Sequence, residues 1–232
     1  MRTELIVALD VDTLDEARAV VGRLGGSVTW FKIGKQLFTR FGPAAVETVK
    51  SLGKRVFLDL KFHDIPNTVA QAVRSAAAIG ADMTNVHASG GAAMLKAAAD
   101  AARESQIILL GVTVLTSMNA EELRNVGVPS TPEEQVVRLA RLVQAAEAPG
   151  VVCSALEIAA LRRACGSDFT LVVPGIRPAG AALGDQKRVM TPADAARAGA
   201  NYIVVGRPIL EAPSPAAAAE AVLRELAAAG AA

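Results

Sequence analysis

The stretch RVFLDLKFHDIPNT, residues 55–68, joins a short apolar run to two aspartates and one lysine. Successive side chains of an extended strand point to opposite faces, so Asp59 and Lys61 share a face with Phe57, while Leu58 lies on the other face. If the leucine face packs against helices, the charged face points to the interior of the sheet assembly. Charges in such a place are costly to desolvate unless they are paired, which is a physical reason for grouping acids around a lysine.

Seven further apolar, β-branched runs occur along the chain, separated by helix-like segments. Their hydrophobicity is continuous rather than strictly alternating, as is typical of strands that are covered on both faces in a parallel sheet. Thr13 with Glu16, and Thr131 with Glu134, have the spacing of capping boxes and mark helix starts. The eight runs are LIVAL (5–9), WFKIG (30–34), RVFLDL (55–60), MTNVHA (83–88), IILLGVTVL (107–115), GVVCSA (150–155), TLVVPGI (170–176) and YIVVG (202–206).

Eight strands alternating with helices over 232 residues match a (β/α)8 barrel, which typically has about 250 residues. We therefore predict an α/β fold, a TIM barrel, formed by one domain that spans residues 1–232. An open doubly wound sheet is the alternative, but it predicts a GxGxxG turn after the first strand, where the chain reads LDVDTLDEA. The longest connection, 116–149, is expected to hold a short helix, AEELRNV, before the capped one.

The composition argues against several classes of protein. Apolar residues make up 52%, charged residues 20% and the formal net charge is +1, so neither a disordered chain nor a broad nucleic-acid surface is indicated. Cys153 and Cys165 are not in CxxC spacing and only two histidines are present, so we expect no Cys/His metal site. No run approaches about 18 apolar residues and the start lacks a secretory pattern. We expect no membrane partner and a cytoplasmic location with reduced thiols.

Polar residues gather at the predicted carboxyl ends of the strands, where the active sites of such barrels lie. Lys32 can reach the same mouth as Asp59 and Lys61, so lysines and aspartates would alternate in space. Flanking carboxylates favour a protonated Lys61, which suits proton donation to a carbanion better than Schiff-base formation. A structural ion pair that fills the barrel is the alternative. The strand ends carry, in order, Asp10, Lys32, Asp59 with Lys61, His87, Thr116, Ser154, Arg177 and Gly206 with Arg207.

Two arginines indicate a phosphate site. Barrels of this kind often bind phosphate with the loops after strands seven and eight, which here carry Arg177 and Gly206 with Arg207. Glycine lets backbone N–H groups approach an anion, and the guanidinium fork matches phosphate oxygens. Surface salt bridges are the alternative for the arginines. The loop RPAGAALGDQKRVMTP (177–192) could close as a lid, with Gln186 as a hydrogen-bond donor, or be an ordinary surface loop.

The two histidines are weaker candidates. The side chain of His63 should face away from Lys61 if the strand continues, so we interpret it as structural rather than as an acid–base group. His87 ends the fourth strand and is interpreted as a hydrogen-bonded residue of the barrel.

Taken together, these segments resemble the orotidine 5′-phosphate decarboxylase family. DLKFHDIPNT (59–68) matches the DxKxxD signature of that family, and the resemblance continues in the same order through nearly the whole chain. The signature alone is shared with related phosphosugar enzymes, but the combination of segments is much more specific. The other matching segments are LIVALD (5–10), FKIG (31–34), VTVLTSM (112–118), VPGIRP (173–178), GDQKRVMTP (184–192) and VVGRPI (204–209).

The resemblance implies a cofactor-free homodimer of (β/α)8 barrels that converts orotidine 5′-monophosphate (OMP) to UMP and carbon dioxide in de novo pyrimidine biosynthesis. Lys61 would donate the proton to C6 of the pyrimidine, and Asp59, Lys32 and Asp64 would complete the charged array. The family pattern assigns the second acid of the signature and its closing threonine to the neighbouring subunit. Asp64 and Thr68 are therefore expected to complete the neighbouring site.

The resemblance also implies the substrate contacts. Asp10 would contact the ribose, and Thr116 and Pro174 the base side of the pocket. The residues expected at the closed phosphate end are Arg177, Gln186, Gly206 and Arg207.

Two other functions remain as alternatives. A metal-dependent phosphosugar enzyme of the hexulose-phosphate synthase or keto-gulonate-phosphate decarboxylase type would place an acidic metal ligand in strand two. The chain has Lys32 there, within WFKIG (30–34), which argues against magnesium. A barrel that binds phosphate without catalysis is the second alternative, and the presence of Lys61 with both acids argues against it.

Overall fold

The computed structural model describes residues 3–24, 26–178 and 190–230. Within these ranges eight parallel strands close a barrel, in which each strand pairs with its neighbours in the chain and the first pairs with the last. The predicted (β/α)8 fold is therefore confirmed. The strands are β1 (Glu4–Ala8), β2 (Trp30–Gly34), β3 (Arg55–Phe62), β4 (Met83–His87), β5 (Ile108–Val112), β6 (Gly150–Val152), β7 (Thr170–Val173) and β8 (Tyr202–Val205).

Eleven α-helices occur in the described part of the chain and alternate with these strands. The predicted short helix lies at 120–125, and the side chains of Thr131 and Glu134 form the predicted capping box at the start of the next helix. The second strand is followed by two helices rather than one, divided at Gly42, whose φ is +55°. The helices are α1 (Leu14–Leu24), α2 (Lys35–Phe41), α3 (Pro43–Lys50), α4 (Pro66–Ala78), α5 (Gly91–Glu104), α6 (Ala120–Asn125), α7 (Pro132–Ala145), α8 (Ile158–Cys165), α9 (Pro192–Ala198), α10 (Arg207–Leu210) and α11 (Pro215–Gly230).

The alternation of side chains along the strands produces two apolar cores. The larger core contains Leu58 and lies between the strands and the helices. A smaller core fills the inside of the barrel and consists of Ile6, Ala8, Trp30, Phe57, Met83, Leu110, Val172 and Val204. Trp30 and Phe57 each precede a charged residue on the same face of their strand, by two positions. The interior is therefore apolar in the layer below the carboxyl ends and charged in the layer above it.

The end of β3 departs from regular pairing. Leu58 pairs with Thr84, and the next pair is Phe62 with Val86, so three residues of β3 lie opposite a single residue of β4. Lys61 within this segment has a φ of +56°, which is uncommon for a residue with a side chain. The strand thus bulges at the point where its charged side chains reach the mouth of the barrel.

None of the helices in the described ranges is both long enough and apolar enough to cross a bilayer.

Candidate active site

Four charged side chains form a continuous array at the carboxyl ends of β1, β2 and β3. The Lys32 Nζ lies 3.4 Å from Asp10 Oδ1 and 3.5 Å from Asp59 Oδ2. The other oxygen of the same carboxylate, Asp59 Oδ1, lies 2.5 Å from Lys61 Nζ. Acids and lysines alternate along this array, as the sequence predicts. Within one chain the acid at the end of the array is Asp10.

The array becomes more buried toward its centre. The side chains of Lys32 and Asp59 are 13% exposed and that of Lys61 is 23% exposed, whereas that of Asp10 is 48% exposed. Burial by itself would raise the pKa of the Asp59 carboxyl. The Lys32 and Lys61 cations, with hydrogen bonds from Lys61 and Asn85, outweigh burial and hold that pKa below its ordinary value. Asp59 is therefore a carboxylate at neutral pH, paired on both oxygens.

Sequence reasoning did not single out Asn85, which lies directly beneath this array. Its side chain is fully buried, donates a hydrogen bond from Nδ2 to Asp59 Oδ1 at 2.7 Å, and accepts one from the Lys61 backbone N–H at 2.8 Å. The only local feature of the sequence that could have pointed to Asn85 is the presence of an amide inside the apolar run MTNVHA (83–88). The face of the strand on which this side chain lies depends on the register of the barrel.

A cavity of about 170 Å³ opens above the array. The predicted base-side residues Thr116 and Pro174 line it together with Asp59 and Lys61. Apolar side chains form much of the remaining wall, so the charged groups face a partly desolvated space. The other lining residues are Lys32, Phe57, Val112, Val114, Leu115, Val152, Cys153 and Val204.

The two predicted phosphate-binding arginines lie near each other at the ends of β7 and β8. Arg177 is buried, and its Nε has no hydrogen-bond partner in the described part of the chain. Burial lowers the pKa of the Arg177 guanidinium, and the nearby Arg207 cation lowers it further. Gly206 lies beside the array, because a Cβ added there would be 3.4 Å from Asp10 Oδ2. Two like charges gathered around an unpaired donor favour binding of an anion.

Gln186 and most of the predicted lid lie outside the described residues. The flanking segments meet, since Ile176 pairs with Met190 and the Arg177 N–H donates to the Met190 carbonyl at 3.1 Å. The two ends of the 177–192 segment therefore lie side by side at Arg177 and Met190.

Asp64 and Thr68 are exposed, and within the described residues no ion pair joins Asp64 to the array. The Asp64 carboxylate accepts a hydrogen bond from the N–H of Ile65 at 2.6 Å, and the Ile65 side chain is 68% exposed. The ring of His63 stands 5.6 Å from that of His87, centre to centre. Burial lowers the pKa of His87, and the nearby His63 and lysine cations lower it further.

Two other polar features do not join the site. Ser154 is buried and caps the 3-10 turn Ala155–Glu157, so it has a structural role at the end of β6. A cavity of about 270 Å³ lies beside the amino end of β1, lined by residues that include Thr3 and Glu4 but, among those described, no lysine or arginine. Within the described ranges no three His, Cys, Asp or Glu side chains are grouped as metal ligands.

The fold and the site define a (β/α)8 barrel with an acid–lysine array below a cavity and a pair of arginines at the last two strand ends. A family model described as "Orotidine 5'-phosphate decarboxylase / HUMPS family" matches residues 3–222. The chain therefore belongs to this family, as its sequence motifs indicate.

Individual relatives match over nearly their whole length. The orotidine 5′-phosphate decarboxylase of Opitutus terrae is 55% identical over 228 residues, which cover 97% of this chain and 99% of that protein. The protein of the same name from Moorella thermoacetica is 53% identical over 233 residues, covering 97% and 92%. The crystal structure of orotidine 5′-phosphate decarboxylase from Lactobacillus acidophilus has a TM-score of 0.86 at 38% identity, and the match covers 97% of this chain and 99% of that one.

Proposed function

We propose that the protein is a carboxy-lyase that decarboxylates OMP to UMP without a cofactor. The observation that carries the proposal is the Lys61 ammonium, which lies 2.5 Å from the Asp59 carboxylate and lines the cavity. Membership of the family and the names of relatives more than half identical over nearly the full chain support the same reaction.

The chemistry requires a cation beside C6 of the pyrimidine. When the bond from C6 to the carboxylate breaks, carbon dioxide leaves and the electron pair stays on C6, where no adjacent carbonyl can accept it. The Lys61 ammonium stabilises this developing charge and then transfers a proton to C6, which completes UMP. The neutral lysine regains its proton from solvent.

Asp59 and Lys32 hold this proton donor in position. The Asp59 carboxylate binds Lys61 through one oxygen and faces Lys32 with the other, so the ammonium is oriented before substrate arrives. Lys32 also lies between the Asp10 and Asp59 carboxylates, where a divalent cation would otherwise find its oxygen ligands. This arrangement favours a reaction that needs no metal ion.

The remaining contacts bind the substrate away from the reacting bond. Arg177 and Arg207, with Gly206 beside them, bind the phosphate, and the family resemblance assigns Gln186 to the same end of the pocket. Asp10 binds the ribose, while Thr116 and Pro174 face the base. Binding energy released at the phosphate then helps to organise the charged array, which is how remote contacts contribute to catalysis.

The active form is a homodimer in which each subunit completes the other's site. Asp64 and Thr68 are exposed in the single chain, and the exposed Ile65 and Leu115 side chains beside the mouth supply apolar surface for a partner. Asp64 and Thr68 of one subunit then add to the array of the other.

The reaction is tested by following the ultraviolet absorbance of OMP with metal-free protein. Protein dialysed against chelator is expected to convert OMP to UMP at the same rate as protein supplied with magnesium. Loss of turnover in chelator with recovery on magnesium addition would contradict a cofactor-free reaction. Absence of turnover under both conditions, with UMP still bound, would favour a barrel that only binds phosphate.

A further inference from the structure

The side chain of Asn85 connects two members of the array. Its Nδ2 donates to Asp59 Oδ1 at 2.7 Å and its Oδ1 accepts the Lys61 backbone N–H at 2.8 Å. A carboxylate can only accept and a backbone N–H can only donate, so these partners determine the orientation of the amide. Asn85 is fully buried and is not among the residues that line the cavity.

The bulge at the end of β3 explains why an amide is needed here. Between the pairs Leu58 with Thr84 and Phe62 with Val86, three residues of β3 face Asn85 alone. The Lys61 N–H therefore points away from the regular ladder, and a buried N–H without an acceptor is costly. The Asn85 Oδ1 takes the place of the missing carbonyl and stabilises the left-handed backbone of Lys61, whose φ is +56°.

The same amide acts on the carboxylate that orients the lysine. Asp59 is surrounded by Lys32 from β2, Lys61 from its own strand and Asn85 and His87 from β4, while Asp10, which follows β1, pairs with Lys32. The hydrogen bond from Asn85 is one of the contacts that favour the charged form of Asp59 against burial.

We propose that Asn85 is a positioning residue of the decarboxylation: it holds the Lys61 backbone and the Asp59 carboxylate in one geometry, so that the ammonium points at the reacting carbon. The proposal rests on the proposed function in taking C6 of the substrate as the target of that ammonium. Since Asn85 does not line the cavity, it acts through these two residues rather than on the substrate.

Two substitutions test separately the hydrogen bond of Asn85 to Lys61 and its hydrogen bond to Asp59. Asn85→Ala removes both hydrogen bonds, whereas Asn85→Asp keeps an acceptor for the Lys61 N–H and replaces the donor to Asp59 with a carboxylate oxygen. Asn201→Ala is the matched control, because the Asn201 side chain also accepts a backbone N–H, from Leu171 at 2.8 Å, but precedes β8 at the opposite end of the barrel.

Steady-state kinetics with OMP over a range of pH is the first measurement. Asn85→Ala is expected to lower kcat about 10- to 100-fold with KM changed less than about threefold, because a small misplacement of a catalytic group costs up to about a hundredfold. The acid limb of kcat/KM is expected to move to higher pH in both Asn85 variants, since Asp59 loses a donor to its charged form. Asn201→Ala is expected to lower the melting temperature without moving kcat or the acid limb.

Two measurements by NMR require no turnover. Exchange of the Lys61 amide hydrogen is expected to accelerate in Asn85→Ala and to stay slow in Asn85→Asp, whereas titration of the Asp59 carboxyl is expected to move to higher pH in both. If the wild-type protein does not turn over OMP, the proposed function is wrong. The two NMR measurements would still test the hydrogen bonds of Asn85 to Lys61 and Asp59. Active wild-type protein together with Asn85 variants that retain kcat and the acid limb would overturn the positioning role.

Discussion

Lys61 has a backbone conformation that residues with side chains rarely adopt, and the site depends on it. With a φ of +56°, its N–H turns to Asn85 while its ammonium lies 2.5 Å from Asp59. Backbone strain of this kind persists only where the surroundings over-determine it, and here two hydrogen bonds and an ion pair do so. The strain lies at the one lysine to which we assign the proton transfer.

Space around the second lysine is equally restricted. A Cβ added at Gly34 would lie 3.0 Å from Lys32 Nζ and 3.6 Å from Asp10 Oδ1. The backbone of Gly34 is extended, so it does not need glycine for its conformation. The missing side chain instead leaves room for the Lys32 ammonium between the Asp10 and Asp59 carboxylates. Gly34 therefore has a steric role that could not be predicted from the sequence pattern WFKIG (30–34).

At the scale of single residues, Lys61→Ala tests whether Lys61 is the proton donor. We expect kcat to fall at least about 10³-fold, because both charge stabilisation and proton transfer are lost. The dissociation constant for UMP is expected to change less than about tenfold, since the phosphate contacts remain. Turnover and UMP titration measure the two effects.

The matched control is Lys96→Ala, which removes an exposed lysine from a surface ion-pair network on α5. It should leave both constants unchanged. Equal losses of turnover and of affinity in Lys61→Ala would contradict the assignment of Lys61 as proton donor.

At the scale of elements, the apolar runs located all eight strands but overestimated several of their ends. The run 107–115 forms a strand only over Ile108–Val112, and 150–155 only over Gly150–Val152. Ser154 caps a turn and Pro174 lacks an N–H, so each ends the ladder where hydrophobicity continues. Hydrophobicity predicts burial, whereas the length of a strand depends on where backbone donors and acceptors find partners.

Glycine is required where β6 meets β7. A Cβ added at Gly150 would lie 2.1 Å from the Thr170 carbonyl oxygen, a backbone atom that cannot move away without distorting the paired strands. We expect Gly150→Ala to lower the free energy of unfolding by about 1–3 kcal/mol, as overpacking commonly does. Urea unfolding monitored by circular dichroism measures the change.

Gly22→Ala on the exposed side of α1 is the control. An added Cβ there meets nothing within 4 Å, so the substitution should be neutral or raise stability by about 0.5–1 kcal/mol through helix propensity. Equal stability of the Gly150→Ala and wild-type proteins would show that the barrel relaxes at this contact.

At the scale of the whole molecule, the array of one chain runs from Asp10 to Lys61, and the exposed Asp64 is the residue that we propose is shared with a partner subunit. Mixing Lys61→Ala with Asp64→Ala protein tests this sharing. In a hybrid dimer one site combines intact Lys61 with intact Asp64, so random exchange is expected to restore about one quarter of wild-type activity, because half the dimers are hybrids with one of two sites intact. Turnover after subunit exchange measures the recovery.

Mixing Lys61→Ala with Lys32→Ala is the matched control, since both lysines belong to the array of the same chain. No site in that hybrid is intact, and no recovery is expected. An absence of recovery in the first mixture, with exchange verified by mass-tagged subunits, would contradict the contribution of Asp64 across the interface.

The sequence by itself determined the number of strands, the α/β class, and the faces on which Asp59 and Lys61 lie, because these follow from the two-residue period of a strand and from local capping. The tertiary structure decided which charges meet. Lys32 and Asn85 lie on different strands and Asp10 follows a third, and their distances depend on barrel closure and on the bulge opposite β4. Register and closure are properties of the whole sheet, so no short window of sequence could have identified Asn85 as the residue that holds Lys61.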